Sequence, residues 1–173
     1  MTALADYIIR KQVPLGENPE LPKFRGNIGI TQGWISICAN LLLFVLKLVF
    51  GIISNSIALL ADAFHTLSDM ASSGVVVFGF KMASKPADKE HPFGHGRAET
   101  IAALTISILI GFTGIEFIKS SLARFIEDIM ININWAVIAV IILTIFLKEG
   151  LARLSLNLGD TINSDILKAD ALH

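Results

Sequence analysis

The segment Ala61-Asp62-Ala63-Phe64-His65 returns almost unchanged as Ala169-Asp170-Ala171-Leu172-His173, and each copy sits in apolar sequence. Ionisable side chains inside a membrane segment are costly, so their presence there marks a candidate site of function. Asp69 follows His65 by four residues. On a helix that spacing stacks an imidazole and a carboxylate on one face, one turn apart. Imidazole nitrogen and carboxylate oxygen suit a zinc-like divalent cation, and four such ligands close a tetrahedron. One helix carrying His65 and Asp69 supplies half of that set, and a second helix with the same pattern would complete it. The second copy reaches His173, the last residue, where a matching acid is expected four positions on. The chain reads as cut within its own site. Asp62 and Asp170, three residues before each histidine, read equally as acceptors that orient the ring nitrogens or as acids at a helix start. The plainer reading of His65 and Asp69 is an isolated ion pair, or polar groups bonded to a neighbouring helix.

A second group lies in Asp88-Lys89-Glu90-His91-Pro92-Phe93-Gly94-His95-Gly96. Asp88, His91 and His95 are three ligand-type side chains within one short stretch, and with His65 and His173 they take in every histidine of the chain. On spacing alone a metal site and a polar turn are equally good readings, because Pro92 and the glycines break helices anyway. An intramembrane metalloenzyme would need a general base beside a metal-bound water, as the Glu of H-E-x-x-H provides. No glutamate adjoins His65 or His173. The other rival is a structural membrane subunit whose polar residues serve helix packing.

The elements that must position these residues are apolar and helical. The chain has 173 residues, 53% hydrophobic and 17% charged, whereas soluble domains are nearer 45–50% apolar with about a quarter charged. A membrane protein is the first reading. The net charge of −1 gives no argument for nucleic acid. Crossing hydrocarbon takes about 20 residues, and four segments come close: Trp34–Ile53, Ile57–Phe80, Thr100–Ile118 and Ile129–Leu147. The second holds Asp62, His65 and Asp69; a fifth segment begins at Ser164. The expected fold is therefore an all-α integral membrane bundle, with four complete spans and the start of a fifth. Residues 1–26 read as a tail, with a short interfacial helix around Leu4–Val13, and residues 27–173 as the transmembrane domain. Asp6, Arg10 and Lys11 leave no long apolar core for a secretory signal. Cys38 reads as a small buried hydrophobe.

Positive residues orient the spans. Arg10, Lys11, Lys23 and Arg25 lie in the tail, Lys81, Lys85, Lys89 and Arg97 after the second span, and Lys148, Arg153 and Lys168 after the fourth. The opposite side has only Lys119 and Arg124, with Lys47 inside a span. Positive residues favour the cytoplasm, which puts the tail inside.

The His65-Thr-Leu-Ser-Asp69 segment, the His91-Pro-Phe-Gly-His-Gly-Arg-Ala-Glu99 loop and Ala169-Asp-Ala-Leu-His173 together strongly resemble the cation diffusion facilitators, over nearly everything from about residue 30 onward. The resemblance implies six transmembrane helices followed by a cytoplasmic domain, and a homodimer that exchanges a divalent cation, usually Zn2+, for protons. It makes His65 and Asp69 the second-helix half of the transport site and His173 the first ligand of the fifth helix. Asp88, His91 and His95 match a loop that binds a second ion in some bacterial members. Two histidines and two aspartates go with zinc, and less with cadmium; manganese and iron members tend to replace the histidines. A multi-pass protein of the plasma (inner) membrane is the expected setting. Metal needs neutral imidazole and ionised carboxylate, so binding expels protons and protonation expels metal; rearrangement of helices about a midplane site would couple the two flows. Residues 1–173 alone are expected to bind zinc weakly at His65 and Asp69 without exchanging it for protons.

Overall fold

A computed structural model describes residues 3–14, 16–18, 20–126 and 135–172. Among them are six helices and no strand: α1 (Ala3–Gln12), α2 (Pro22–Ile53), α3 (Ile57–Ala83), α4 (Arg97–Ile126), α5 (Trp135–Thr161) and α6 (Asp165–Leu172). The all-α expectation holds. Pro22 opens α2, where its missing N–H would have had no partner anyway. The Ser56 hydroxyl accepts from the Leu59 amide at 3.3 Å and caps α3. Between α2 and α3 the chain reverses within a few residues. Asn55 adopts a φ of 49°, which asparagine tolerates better than most side chains, and the Ser56 amide donates to the Gly51 carbonyl at 2.9 Å.

Glycines set how closely the helices approach. A Cβ on Gly29 would lie 2.3 Å from the Phe80 ring, and one on Gly33 would lie 2.5 Å from Val77. Small residues of this kind let helices pack where lipid removes the usual hydrophobic drive. The core gathers Ile28, Val76, Phe80, Ile106, Leu158 and Ile162 from α2 to α5 and the turn after it. Large apolar side chains also point outward: Phe78, Phe112 and Phe146 are 65%, 65% and 73% exposed. So much exposed apolar surface suits lipid rather than water.

One end of the bundle is fastened by a polar clasp. The Arg25 guanidinium donates to Glu99 at 2.6 Å and to the Asn163 carbonyl at 3.0 Å. The Ser164 hydroxyl donates to the same Glu99 oxygen at 2.7 Å. The starts of α2 and α4 and the α5–α6 turn are thereby tied together.

Two helices among the described residues, Phe24–Ile53 and Arg97–Lys119, are long and apolar enough to cross a membrane, so two of the four expected spans stand on length and composition. α3 has the length but carries Asp62, His65 and Asp69. Of the expected fourth span, residues 129–134 lie outside the described part, and its helix α5 runs on to Thr161. Lys148 and Arg153 are therefore on a helix, not in a loop. Leu154, Leu158 and Ile162 repeat every four residues and are all buried, and that apolar stripe extends the helix past its charges. The short helix expected around Leu4–Val13 is present as α1, which buries Ala5 and Ile8 in the core, and α2 passes residues 26 and 27 without a break. Cys38 is exposed, not buried.

Candidate metal centre

α3 brings His65 and Asp69 to one face, as their spacing predicts. His65 Nε2 stands 3.8 Å from Asp69 Oδ1. A zinc-like cation about 2 Å from each ligand atom spans that gap with little rearrangement. Asp69 is 4% exposed and lies roughly 18 Å along its helix, at about 1.5 Å per residue. The His65 ring meets Phe117 of α4 edge-on, with centroids 5.5 Å apart, which limits how the imidazole can turn.

The other Asp69 oxygen is engaged. Lys148 of α5 reaches Oδ2 at 2.5 Å. Sequence reasoning missed this partner because it placed Lys148 in a loop. Asp69 and Lys148 line a cleft of about 500 Å³ together with Lys47, Asp62, Asp170 and Ser155. Asp62 holds Lys47 at 2.9 Å, and Lys47 also donates to the Thr66 hydroxyl at 2.7 Å. Asp170 accepts from the Ser155 hydroxyl at 3.1 Å. His173 lies outside the described residues, but Asp170 and Leu172 of the second copy line the same cleft as Asp62 and Asp69 of the first. The two copies meet.

The repeat is longer than its five-residue signature. Gly51, Asn55 and Ser56 precede the first copy at the spacing with which Gly159, Asn163 and Ser164 precede the second. The turns match: Asn163 has a φ of 50°, and the Ser164 amide donates to the Gly159 carbonyl at 2.8 Å. Lys47 and Ser155, which hold the two aspartates, occupy equivalent positions as well. Hairpin α2–α3 turns at the end of the bundle away from the clasp and hairpin α5–α6 at the clasp. They are thus copies of opposite direction, packed about one polar cleft, an arrangement known in transporters. The G-x-x-x-N-S spacing was the overlooked signal.

The loop between α3 and α4 forms the second cluster. Ligand atoms of Asp88, His91 and His95 lie within 4.8 Å of one another. His91 Nδ1 is 3.3 Å from Asp88 Oδ1 and His95 Nε2 is 3.5 Å from Oδ2. The backbone makes this possible: Gly94 takes a φ of +77°, which only glycine adopts at little cost, and its amide donates to the His91 carbonyl at 3.0 Å. The His91 amide donates to Asp88 at 2.7 Å. That backbone hydrogen bond leads the effects that hold the Asp88 carboxyl below its ordinary value, and the two imidazoles add to it. An ionised carboxylate flanked by two imidazoles is a donor set for a divalent cation.

The cation efflux transmembrane domain family matches residues 33–173. An uncharacterized transporter of Methanocaldococcus jannaschii is 40% identical over 139 residues, covering 80% of this chain and 49% of that protein. Metal tolerance protein C1 of Arabidopsis thaliana is 34% identical over 154 residues, 80% of this chain and 33% of that protein. The manganese efflux system protein MneP of Bacillus subtilis is 31% identical over 137 residues, 79% of this chain and 46% of that protein. The chain spans half the length of these relatives or less.

Proposed function

The chain belongs to the cation efflux family of membrane metal transporters, the cation diffusion facilitators, and from that premise we propose that it moves Zn2+ out of the cytoplasm in exchange for protons. Members of the family are transporters, not enzymes. The observation that carries the proposal is the meeting of the two A-D-A-x-H copies at one cleft, with a buried Asp69 at mid-helix. In this reading His65, Asp69 and His173 ligate the transported ion. Asp62 and Asp170 flank it, each held by its own hairpin. Imidazole and carboxylate both bind metal only when deprotonated, so the same side chains carry either the ion or protons. α2 to α5 cross the bilayer with the amino terminus inside, and α6 begins a fifth span. The Asp88, His91 and His95 loop is then on the cytoplasmic side, where it takes a second Zn2+ near the entrance. A homodimer in the plasma membrane is part of the same proposal.

Zn2+ is preferred over Mn2+ because two histidines contribute nitrogen, and nitrogen ligands favour zinc while oxygen-only sets suit manganese. The name of the Bacillus subtilis relative makes Mn2+ the competitor to test. Zinc titration of the chain in detergent micelles tests the reading directly. The wild type is expected to bind at two kinds of site. His65→Ala removes one, and the double variant His91→Ala/His95→Ala removes the other. If Mn2+ binds the His65-dependent site more tightly than Zn2+, the choice of cargo is wrong; if neither ion responds to His65→Ala, the site is wrong.

A further inference from the structure

Among the described residues, three contacts join side chains that line the cleft, and they differ in what they connect. Lys47 with Asp62 stays within hairpin α2–α3, and Ser155 with Asp170 stays within hairpin α5–α6. Lys148 with Asp69 crosses from one hairpin to the other. We propose that the Lys148 ammonium is a tethered stand-in for the transported cation: it neutralises Asp69 while the site holds no ion, and the incoming cation must displace it, breaking this tie between the hairpins as it binds. The inference rests on Asp69 being a ligand.

The two lysines of the cleft show why Lys148 is the movable one. The Lys47 side chain is 2% exposed and is held by both Asp62 and Thr66, so it has nowhere to go. The Lys148 side chain is 34% exposed and stands at a cleft of about 500 Å³ that also offers the carboxylates of Glu149 and Asp170. Its long flexible stem can carry the charge toward them without moving α5. A divalent cation and an ammonium cannot share Asp69 at close range in a weakly screened interior. Each state is then electrostatically balanced. With no ion bound, an ammonium meets a carboxylate; with the ion bound, the lysine has left. A charge that must be pushed aside lowers affinity and favours release, which suits a carrier better than a trap. It also links occupancy to the contact between the two inverted hairpins, the elements whose relative movement would expose the cleft to alternate sides.

The test is zinc binding by the full chain in micelles, with His91→Ala/His95→Ala as background so that the loop does not contribute. Lys148→Met is expected to tighten zinc binding about tenfold or more, the scale of one lost close charge repulsion. Lys148→Arg keeps the charge and is expected to restore wild-type affinity. Unchanged or weaker binding by Lys148→Met overturns the inference while leaving the site intact. Zinc binding that Asp69→Asn does not affect overturns both the site and the inference. A measurement on the background protein guards against a misfolded variant: reductive methylation of Lys148, followed by mass spectrometry, is expected to speed up when zinc is added, and slower or equal labelling refutes displacement.

Discussion

Breaking the clasp between Arg25 and Glu99 should cost far more than breaking the ion pair between Arg153 and Glu149. Both pairs are short, at 2.6 Å and 2.7 Å. Their surroundings differ. The Arg25 and Glu99 side chains are 27% and 17% exposed, whereas Arg153 and Glu149 are 67% and 57% exposed. Exposed pairs are worth about 0.2–1 kcal/mol because water screens the charges and ordering two long side chains costs entropy. Hydrogen bonds to charged groups with less water nearby reach about 1.5–3 kcal/mol. Partial burial puts the clasp near the low end of that range, with a coupling of about 1.5 kcal/mol. The i,i+4 pair on α5 should couple by about 0.4 kcal/mol. Glu99 also accepts from Ser164 at 2.7 Å, so Ser164→Ala should remove about 1 kcal/mol more. The assay is a pair of double-mutant cycles, Arg25→Ala with Glu99→Ala and Arg153→Ala with Glu149→Ala, read by reversible unfolding in mixed micelles. A coupling at Arg25 and Glu99 no larger than that at Arg153 and Glu149 would refute the argument from burial.

The contact between Lys47 and Asp62 should be asymmetric. Lys47 is 2% exposed and Asp62 41%, so Asp62→Asn leaves a buried ammonium with neutral partners such as the Thr66 hydroxyl and no counter-charge, a loss of up to about 3–5 kcal/mol, while Lys47→Met leaves Asp62 partly solvated and costs less; equal losses in unfolding free energy would count against this. In the loop, the fold lowers the Asp88 pKa below 3.8. A depressed carboxyl pKa stabilises at any pH above the unfolded value and loses that contribution as pH falls through the folded one. The His91 amide resonance should therefore titrate with a midpoint below 3.8, and a midpoint at or above that value would exclude the hydrogen bond that this amide donates to Asp88.

The sequence by itself determined what depends on neighbours along the chain. Composition marks an apolar helical protein, the i,i+4 rule puts His65 and Asp69 on one face, and Pro92 with Gly94 forces the turn that gathers Asp88, His91 and His95. Even the longer repeat, with its Gly, Asn and Ser at fixed spacing, is legible once the turn it encodes is known. The end of α5 was legible too, in Leu154, Leu158 and Ile162, but the charges of Lys148 and Arg153 masked it. Tertiary structure alone decided which charge meets which. Lys148 lies 79 residues from Asp69 and Arg25 lies 74 from Glu99, and no local pattern relates such positions. Electrostatic pairing depends on distance in space and on burial, both of which follow from how the glycine-lined helices pack. The ligand candidates were written in the sequence, and the pairing of Lys148 with Asp69 was supplied by the fold.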